Sequence, residues 1–427
     1  MGKEKIVVIG GGFAGLNLIK KLDKSKFDIL LIDSNNYHSF PPLFYQVASS
    51  GLDPASICFP IRREMRKGPV RGAHYQMGTV SKIDISRQTV TTQYETVSYD
   101  RLVIATGTTN NFFSDKDLHK RVFTLKSTTE AIRCRNEILD RLERAAITHD
   151  AAKRRRLLSF VVIGGGPTGV EIAGAIGEMK RYILSREYPE IQQDEVTITL
   201  IEGSDRLLRT MSADASREAA SYLGHLMVDV KLNLTMRSYE DNIATLSDGC
   251  EIYTEMLIWT AGVTGVPVKM EGTDLQRGPG QRYVTDRYNR ITGLDNVYAI
   301  GDIAITTDDP AYPHGHPQLA QVAIQQARNL AHNLNAGSFD RQFIYKDKGA
   351  MATIGRNRAV ADLKGIHLYG RVAWFAWMFV HLISLLGMRN KLTVLINWTW
   401  AYFSYSSSLR LLIRPDRYPL RSRWGER

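Results

Sequence analysis

Short apolar runs bounded by charge open the chain. Ile6 to Ile9 follows Lys3-Glu4-Lys5, and a second run, Phe27 to Ile32, stops at Asp33. Brief runs of this kind suit strands buried in a parallel sheet. Between them Leu16, Leu18, Ile19 and Leu22 mark a helical stretch. The order strand, helix, strand recurs further on. Phe160 to Ile163 is apolar, a helical stretch contains Glu171, Ala173 and Ala175, and Val196 to Ile201 ends at Glu202. Near the C-terminus, residues 372–386 form the strongest apolar run. Gly387-Met388-Arg389-Asn390-Lys391 interrupts it, and a second run, Leu392 to Tyr405, carries Trp398, Trp400, Tyr402 and Tyr405.

Each strand–helix junction is rich in glycine. The first reads Gly10-Gly11-Gly12-Phe13-Ala14-Gly15, and the second Gly164-Gly165-Gly166-Pro167-Thr168-Gly169. In such a G-x-G-x-x-G loop the first glycine permits a tight turn. The second lets backbone approach a pyrophosphate, and the third allows close helix–sheet packing. The free N–H groups of the helix N-terminus then face the phosphates. An acid about 20 residues further on accepts hydrogen bonds from a ribose diol. Asp33 and Glu202 stand at that distance. Glu202 would repel a 2′-phosphate, which favours NADH over NADPH, although Arg206 nearby blunts the preference. Two cradles in one chain imply two dinucleotides: a resident flavin, FAD, and an exchanging nicotinamide, NADH.

Composition narrows the partners. With 427 residues the chain exceeds one compact core. The formal net charge of +11 favours an anionic partner. The basic stretch Lys153 to Arg156 lacks the aromatic context of a nucleic-acid site and reads as a solvated linker, so no nucleic acid is expected. The three cysteines, Cys58, Cys134 and Cys250, are far apart, which argues against a disulfide scaffold and fits a reducing compartment. His38, His314 and His316 read as solvated loop residues with no evident carboxylate or cysteine partner, so no metal site is expected. The opening apolar run is too short for a signal peptide, and the chain is expected on the cytoplasmic side.

These features resemble the two-dinucleotide disulfide oxidoreductase superfamily, and within it the type II NADH dehydrogenases, the non-pumping NADH:quinone oxidoreductases. Ala105, Thr106 and Gly107 look like the family's A-T-G motif. Tyr298 to Asp302 looks like its second flavin motif, in which Gly301 ends a strand and Asp302 is expected to bind a ribityl hydroxyl. Tyr37 to Ala48 resembles its aromatic-proline stretch, and the resemblance places Pro42 and Leu43 along the flavin ring. Glu171 matches the glutamate that trails the nicotinamide fingerprint, where it could orient the ring or relay protons. Ala261 and Gly262 match a second nicotinamide segment. Leu319 to Asn329, with Ala320, Gln321, Gln325 and Gln326, resembles the A-Q-x-A-x-Q-Q motif, and by that resemblance Gln321 contacts the quinone.

The expected architecture is α/β: two Rossmann-like dinucleotide-binding domains and a C-terminal amphipathic helical segment. FAD would occupy residues 1–115 and 285–365, NADH residues 116–284, and the membrane segment residues 366–427. Neither apolar run near the C-terminus reaches the roughly 20 residues of a spanning helix. The aromatic residues suit the headgroup level, and Arg410, Arg414, Arg417, Arg421, Arg423 and Arg427 suit an anionic lipid surface. The helical pair also leaves room for a homodimer contact. Sulfide:quinone oxidoreductases and ferredoxin reductases are the competing readings. The first needs catalytic cysteines, and the second has no need of the aromatic, basic tail.

Overall fold

The computed structural model describes residues 2–66, 68–404 and 409–413. They divide into two units. The first comprises Met1–Ser39, Cys58–Asn111 and Gly262–Lys348, and the second Phe40–Ile57, Phe112–Ala261 and Gly349–Arg427.

A five-stranded parallel sheet forms the first unit's frame. Its order is Val297–Ala299, Arg101–Ile104, Glu4–Ile9, Phe27–Asp33 and His74–Met77. Ile6, Val7 and Val8 are fully buried, as a central strand requires. Burying each such side chain contributes about 1.5–3 kcal/mol. Register fixes where function can sit. Ile9 is level with Ile32 and Ile104, and Ile104 with Ala299. Four strands therefore end together at Gly10, Asp33, Ala105 and Ile300, the carboxyl edge where open α/β sheets bind ligands.

The second unit repeats the plan with four parallel strands: Asp229–Lys231, Thr197–Ile201, Ser159–Ile163 and Met256–Trp259. Ile163 is level with both Ile201 and Trp259, so Gly164, Glu202 and Thr260 share one edge. The α/β class expected from the runs is the class observed.

The division along the chain departs from the expected boundaries. Residues 262–284 group with the first unit. Val263–Gly265 pairs with Thr108–Asn110, Lys269–Glu271 pairs with Val80–Asp84, and Arg282–Val284 pairs with Ala304–Ile305. Residues 40–57 group with the second unit, as do the described residues from Gly349 onward, including the sheet Ala350–Thr353, Ala359–Leu363 and Ile366–Tyr369. These pairings join segments distant in sequence, so no local pattern announces them.

The C-terminal runs form two helices, Gly370–Ser384 and Met388–Ser404, separated at Gly387, whose φ of +78° a side chain would resist. Each helix has two apolar faces. Ala373, Trp374 and Trp377 are buried on one helix, and Val394 and Trp398 on the other. Val372, Phe375, Phe379 and Ile383 are exposed, as are Leu392, Ile396, Trp400 and Phe403. No helix among the described residues is long and apolar enough to cross a membrane. Tyr405 and the arginines from Arg414 onward lie outside the described residues. Arg410, expected to meet lipid, instead pairs with Glu187. Lys153 to Arg156 is not a linker either. It lies in the helix Ala151–Leu157, capped by Asp150, with Arg154 paired to Glu195 at 2.8 Å.

Candidate functional site

In the first unit the strand Glu4–Ile9 turns at Gly10 into the helix Phe13–Lys21. Gly10 has φ +104°, and a Cβ there would lie 2.3 Å from the Ala105 carbonyl oxygen. A Cβ on Gly15 would lie 1.9 Å from the Gly10 carbonyl oxygen. Only glycine fits either position. A Cβ on Gly12 meets no protein atom within 4 Å, so its backbone is open on the side from which a pyrophosphate would approach. Asp33 accepts from Gly11 N at 2.5 Å and from Asn35 N at 2.7 Å. Burial raises its pKa, and these two bonds oppose the shift. Each carboxylate oxygen keeps a lone pair for a ribose hydroxyl.

The other predicted flavin residues of this unit assemble on the same edge. Ala105 N donates to Ile9 O at 2.8 Å, Thr106 Oγ1 to Val266 O at 2.6 Å, and Gly107 adopts φ +68°. Gly301, with φ +76°, sits where a Cβ would lie 3.1 Å from the Ala14 Cβ and 3.4 Å from the Ala323 Cβ. Asp302 accepts from Thr108 Oγ1 at 3.2 Å. Convergent strand ends, an open Gly12 and two carboxylates in these places fit FAD. Gly262, with φ +86°, belongs to this unit, while Ala261 belongs to the other.

Ala320 and Gln321 begin the helix Ala320–Ala336. Gln321 accepts from Lys348 N at 3.0 Å and donates to Asp347 Oδ1 at 3.4 Å, while Gln325 clips Lys346 through both its N–H and its C=O. Gln326 is buried and accepts from Gly301 N at 2.7 Å. The glutamine motif thus anchors an extended segment and the Gly301-Asp302 turn. That structural role was not foreseen from the sequence, though the motif had singled out the residues.

Two of the histidines expected in solvent are buried. His38 donates through Nδ1 to Gly11 O at 2.9 Å, and burial lowers its pKa, which keeps the ring neutral. His316 does have a carboxylate partner, Asp309, 3.0 Å from its Nε2. His314 is exposed, as expected. Among the described residues no three metal-ligating groups converge.

The second unit carries the second cradle. Gly164 has φ +109°, and a Cβ there would lie 2.9 Å from Thr260 Oγ1 and 3.0 Å from Ala261 N. A Cβ on Gly169 would lie 1.8 Å from Gly164 O, whereas one on Gly166 meets nothing within 4 Å. Pro167 starts the helix Pro167–Tyr182, its fixed φ suited to that position; Thr168 follows it. Glu202 accepts from Gly165 N at 2.5 Å through one oxygen, and from Ser204 N and Oγ at 2.8 and 2.6 Å through the other. Arg206 turns to the Arg209 carbonyl at 3.1 Å.

Glu171 lies on the fifth residue of that helix and is buried. Among the described residues its carboxyl accepts from Thr353 N, at 3.4 Å, and burial raises its pKa well above the usual range. Thr353 Oγ1 shares a hydrogen bond of 3.0 Å with the Tyr45 hydroxyl. Gln46 Nε2 donates to that hydroxyl at 2.8 Å, and Trp398 Nε1 donates to Gln46 Oε1 at 2.8 Å. A polar chain therefore runs from the cradle helix to the last C-terminal helix. Beside it the His381 ring stacks on Trp377 at 4.0 Å, and burial lowers its pKa to about 4. Pro42 and Leu43 precede Tyr45 in this unit, with Leu43 fully buried. Tyr45, Gln46, Thr353, Trp377 and His381 were not singled out from the sequence. Only the aromatic-proline stretch and the C-terminal aromatics hinted at them.

Neither Cys134 nor Cys250 has a lowered thiol pKa. Cys134 is buried in the helix Thr128–Ala146, where burial pushes its thiol pKa up, the reverse of what a nucleophile needs.

Residues 4–327 match the Pyridine nucleotide-disulphide oxidoreductase family, and residues 348–404 match the NDH2 C-terminal domain. The type II NADH:quinone oxidoreductase Ndh of Mycobacterium tuberculosis is 33% identical over 425 residues, covering 94% of this chain and 89% of that protein. An internal alternative NAD(P)H-ubiquinone oxidoreductase of Solanum tuberosum mitochondria is 31% identical, covering 93% and 86%. The structure of NDH2 from Plasmodium falciparum in complex with NADH superposes with a TM-score of 0.89 at 22% identity, covering 97% of this chain and all of that one. The sulfide:quinone oxidoreductase of Aquifex aeolicus shares the fold at a TM-score of 0.72 and 18% identity. With both cradles complete and a matching C-terminal region, the chain belongs to the type II NADH:quinone oxidoreductases.

Proposed function

We propose that this protein accepts hydride from NADH onto a resident FAD and passes the electrons, two at a time, to a quinone at a membrane surface, without pumping protons. The observation that carries the reading is a pair of complete dinucleotide cradles, each with its open middle glycine and its edge carboxylate, in one member of this family. FAD, when bound, supplies the ring that takes up a hydride and releases electrons to a second acceptor.

The chain's own residues bind and orient. Gly10, Gly12 and Gly15 admit the flavin pyrophosphate, with Phe13 and Ala14 at the helix start. Asp33 takes the adenosine ribose, and Asp302 a ribityl hydroxyl. Gly164, Gly166 and Gly169 admit the NADH pyrophosphate, and Glu202 takes its ribose. Quinone reduction consumes protons as well as electrons. Burial raises the Glu171 pKa, which favours a proton on its carboxyl, in a place linked to Tyr45 through Thr353. Gln321 is assigned to a quinone oxygen.

The exposed apolar faces of Gly370–Ser384 and Met388–Ser404 are the surface we assign to lipid, lying in the interface rather than crossing it. The membrane face is the cytoplasmic one, or the matrix side in an organelle.

Stopped-flow absorbance tests the cycle. NADH should bleach the flavin of the purified protein, and added quinone should restore it. Gln321→Ala should keep the first phase and slow the second. Slowing confined to the first phase would refute the assignment of that residue.

A further inference from the structure

One cationic feature of the first unit is unused by the activity. An open groove of about 670 Å³ is lined by Arg62, Arg63, Arg66, His74 and Tyr75 over an apolar floor that includes Met65. The bland reading is a solvated basic surface, and three observations weigh against it. The side chains are held: the Arg62 guanidinium lies 5.0 Å from the centre of the Tyr75 ring, and that of Arg63 lies 5.9 Å from the Phe59 ring. The Tyr75 ring is itself fixed, since its hydroxyl donates to Asn35 O at 2.9 Å. The positive charge is also unanswered. Glu64, the acid within the segment, pairs with Lys20 at 2.8 Å. Among the described residues Asp28 pairs with His74, at 3.8 Å. Arg62, Arg63 and Arg66 make no ion pair among the described residues.

We propose that this groove is a phosphate-recognition site, taking a phosphate-bearing ligand whose organic part rests on Met65 and the Tyr75 ring. Guanidinium groups present paired donors that match phosphate oxygens bidentately, and a group with several charged oxygens can engage more than one fork. Clustered like charges repel one another until an anion arrives, so the site is electrostatically poised for one. The ligand is either a soluble phosphate compound or an anionic phospholipid headgroup. The chemistry is the same, and the test separates them. The proposal stands apart from the redox cycle and does not depend on it.

The experiment uses the full-length flavin-loaded protein and the triple variant Arg62→Gln/Arg63→Gln/Arg66→Gln. Circular dichroism checks that the variant is folded, which is expected because all three side chains are exposed. Titration calorimetry with inorganic pyrophosphate, under saturating NAD⁺ to occupy the second cradle, reads the soluble source. Co-sedimentation with phosphatidylcholine vesicles, with and without phosphatidylglycerol, reads the lipid source. The expected result is saturable pyrophosphate binding that weakens at least tenfold in the variant, or a phosphatidylglycerol-dependent gain in vesicle binding that the variant loses. The first outcome identifies a soluble ligand and the second a headgroup. If the unaltered protein responds to neither probe, or the variant matches it in both, the proposal is overturned.

Discussion

Trp398 donates its indole N–H to the side-chain carbonyl of Gln46 at 2.8 Å, joining residues 352 positions apart. Gln46 passes the link to the Tyr45 hydroxyl, which meets Thr353, and Thr353 N meets Glu171. The last C-terminal helix is therefore wired by hydrogen bonds to the helix of the second cradle. Trp398→Phe removes one donor and leaves Gln46 Oε1 without it. We expect a loss of about 1–3 kcal/mol, read by urea unfolding. Trp398→Ala should cost more, about 3–5 kcal/mol, because it also opens a cavity.

The middle glycines separate folding from binding. Ala at Gly12 or Gly166 meets no protein atom within 4 Å, and both residues have φ near −73°, which alanine adopts freely. Neither substitution strains the fold, and Gly166→Ala should melt like the parent. Gly12→Ala should retain less flavin, read by its visible absorbance. Gly166→Ala should keep flavin and raise the KM for NADH at least tenfold. Gly15→Ala and Gly169→Ala should behave differently: their Cβ atoms would overlap a backbone carbonyl, so both should lower the melting temperature.

Glu171 makes stability depend on pH in a defined direction. Its folded pKa is raised, so between the ordinary glutamate pKa and that raised value the folded state holds a proton the unfolded state has lost. Stability from this group is then present at low pH and falls as pH rises, by at most about 1.4 kcal/mol per pH unit. Glu171→Gln should flatten that slope and gain on the parent as pH increases. An unchanged slope in urea titrations from pH 5 to 8 would count against a protonated Glu171. In turnover, the same variant should slow quinone reduction by about 10²-fold or more if the carboxyl supplies a proton.

Under the proposed function Glu202 sets nicotinamide choice. Its replacement by Gln removes the charge that repels a 2′-phosphate and weakens the ribose contact. The ratio of kcat/KM for NADH over NADPH should fall by about 10- to 100-fold, the worth of one hydrogen bond to a charged group. Steady-state kinetics with both nucleotides measures it.

Much of this site could be read in the sequence because its determinants are local. Each cradle is a strand, a glycine turn, a helix and a terminal acid within about 40 residues, and every step follows from backbone sterics and strand register. The C-terminal helices were equally legible from their apolar runs. What escaped was long-range. His38 looked like a loop histidine until its Gly11 partner was known. The Asp309–His316 pair joins seven positions across a turn and has no periodic signature. Residues 262–284 changed unit because of strand partners far away in the chain. Gln326 read as part of a ligand motif, while its position beneath the Gly301 amide depends on how its helix packs.

That last contact has a mechanical consequence. Gly301 is wedged against Ala14 and Ala323, and its amide is tethered to Gln326. The turn bearing Asp302, the start of the first cradle helix and the glutamine helix are thereby locked into a single node without slack. Loss of the Gln326 side chain should therefore register first as loosened cofactor, whereas Gln321, which holds Lys348 N instead, can be changed without disturbing the node.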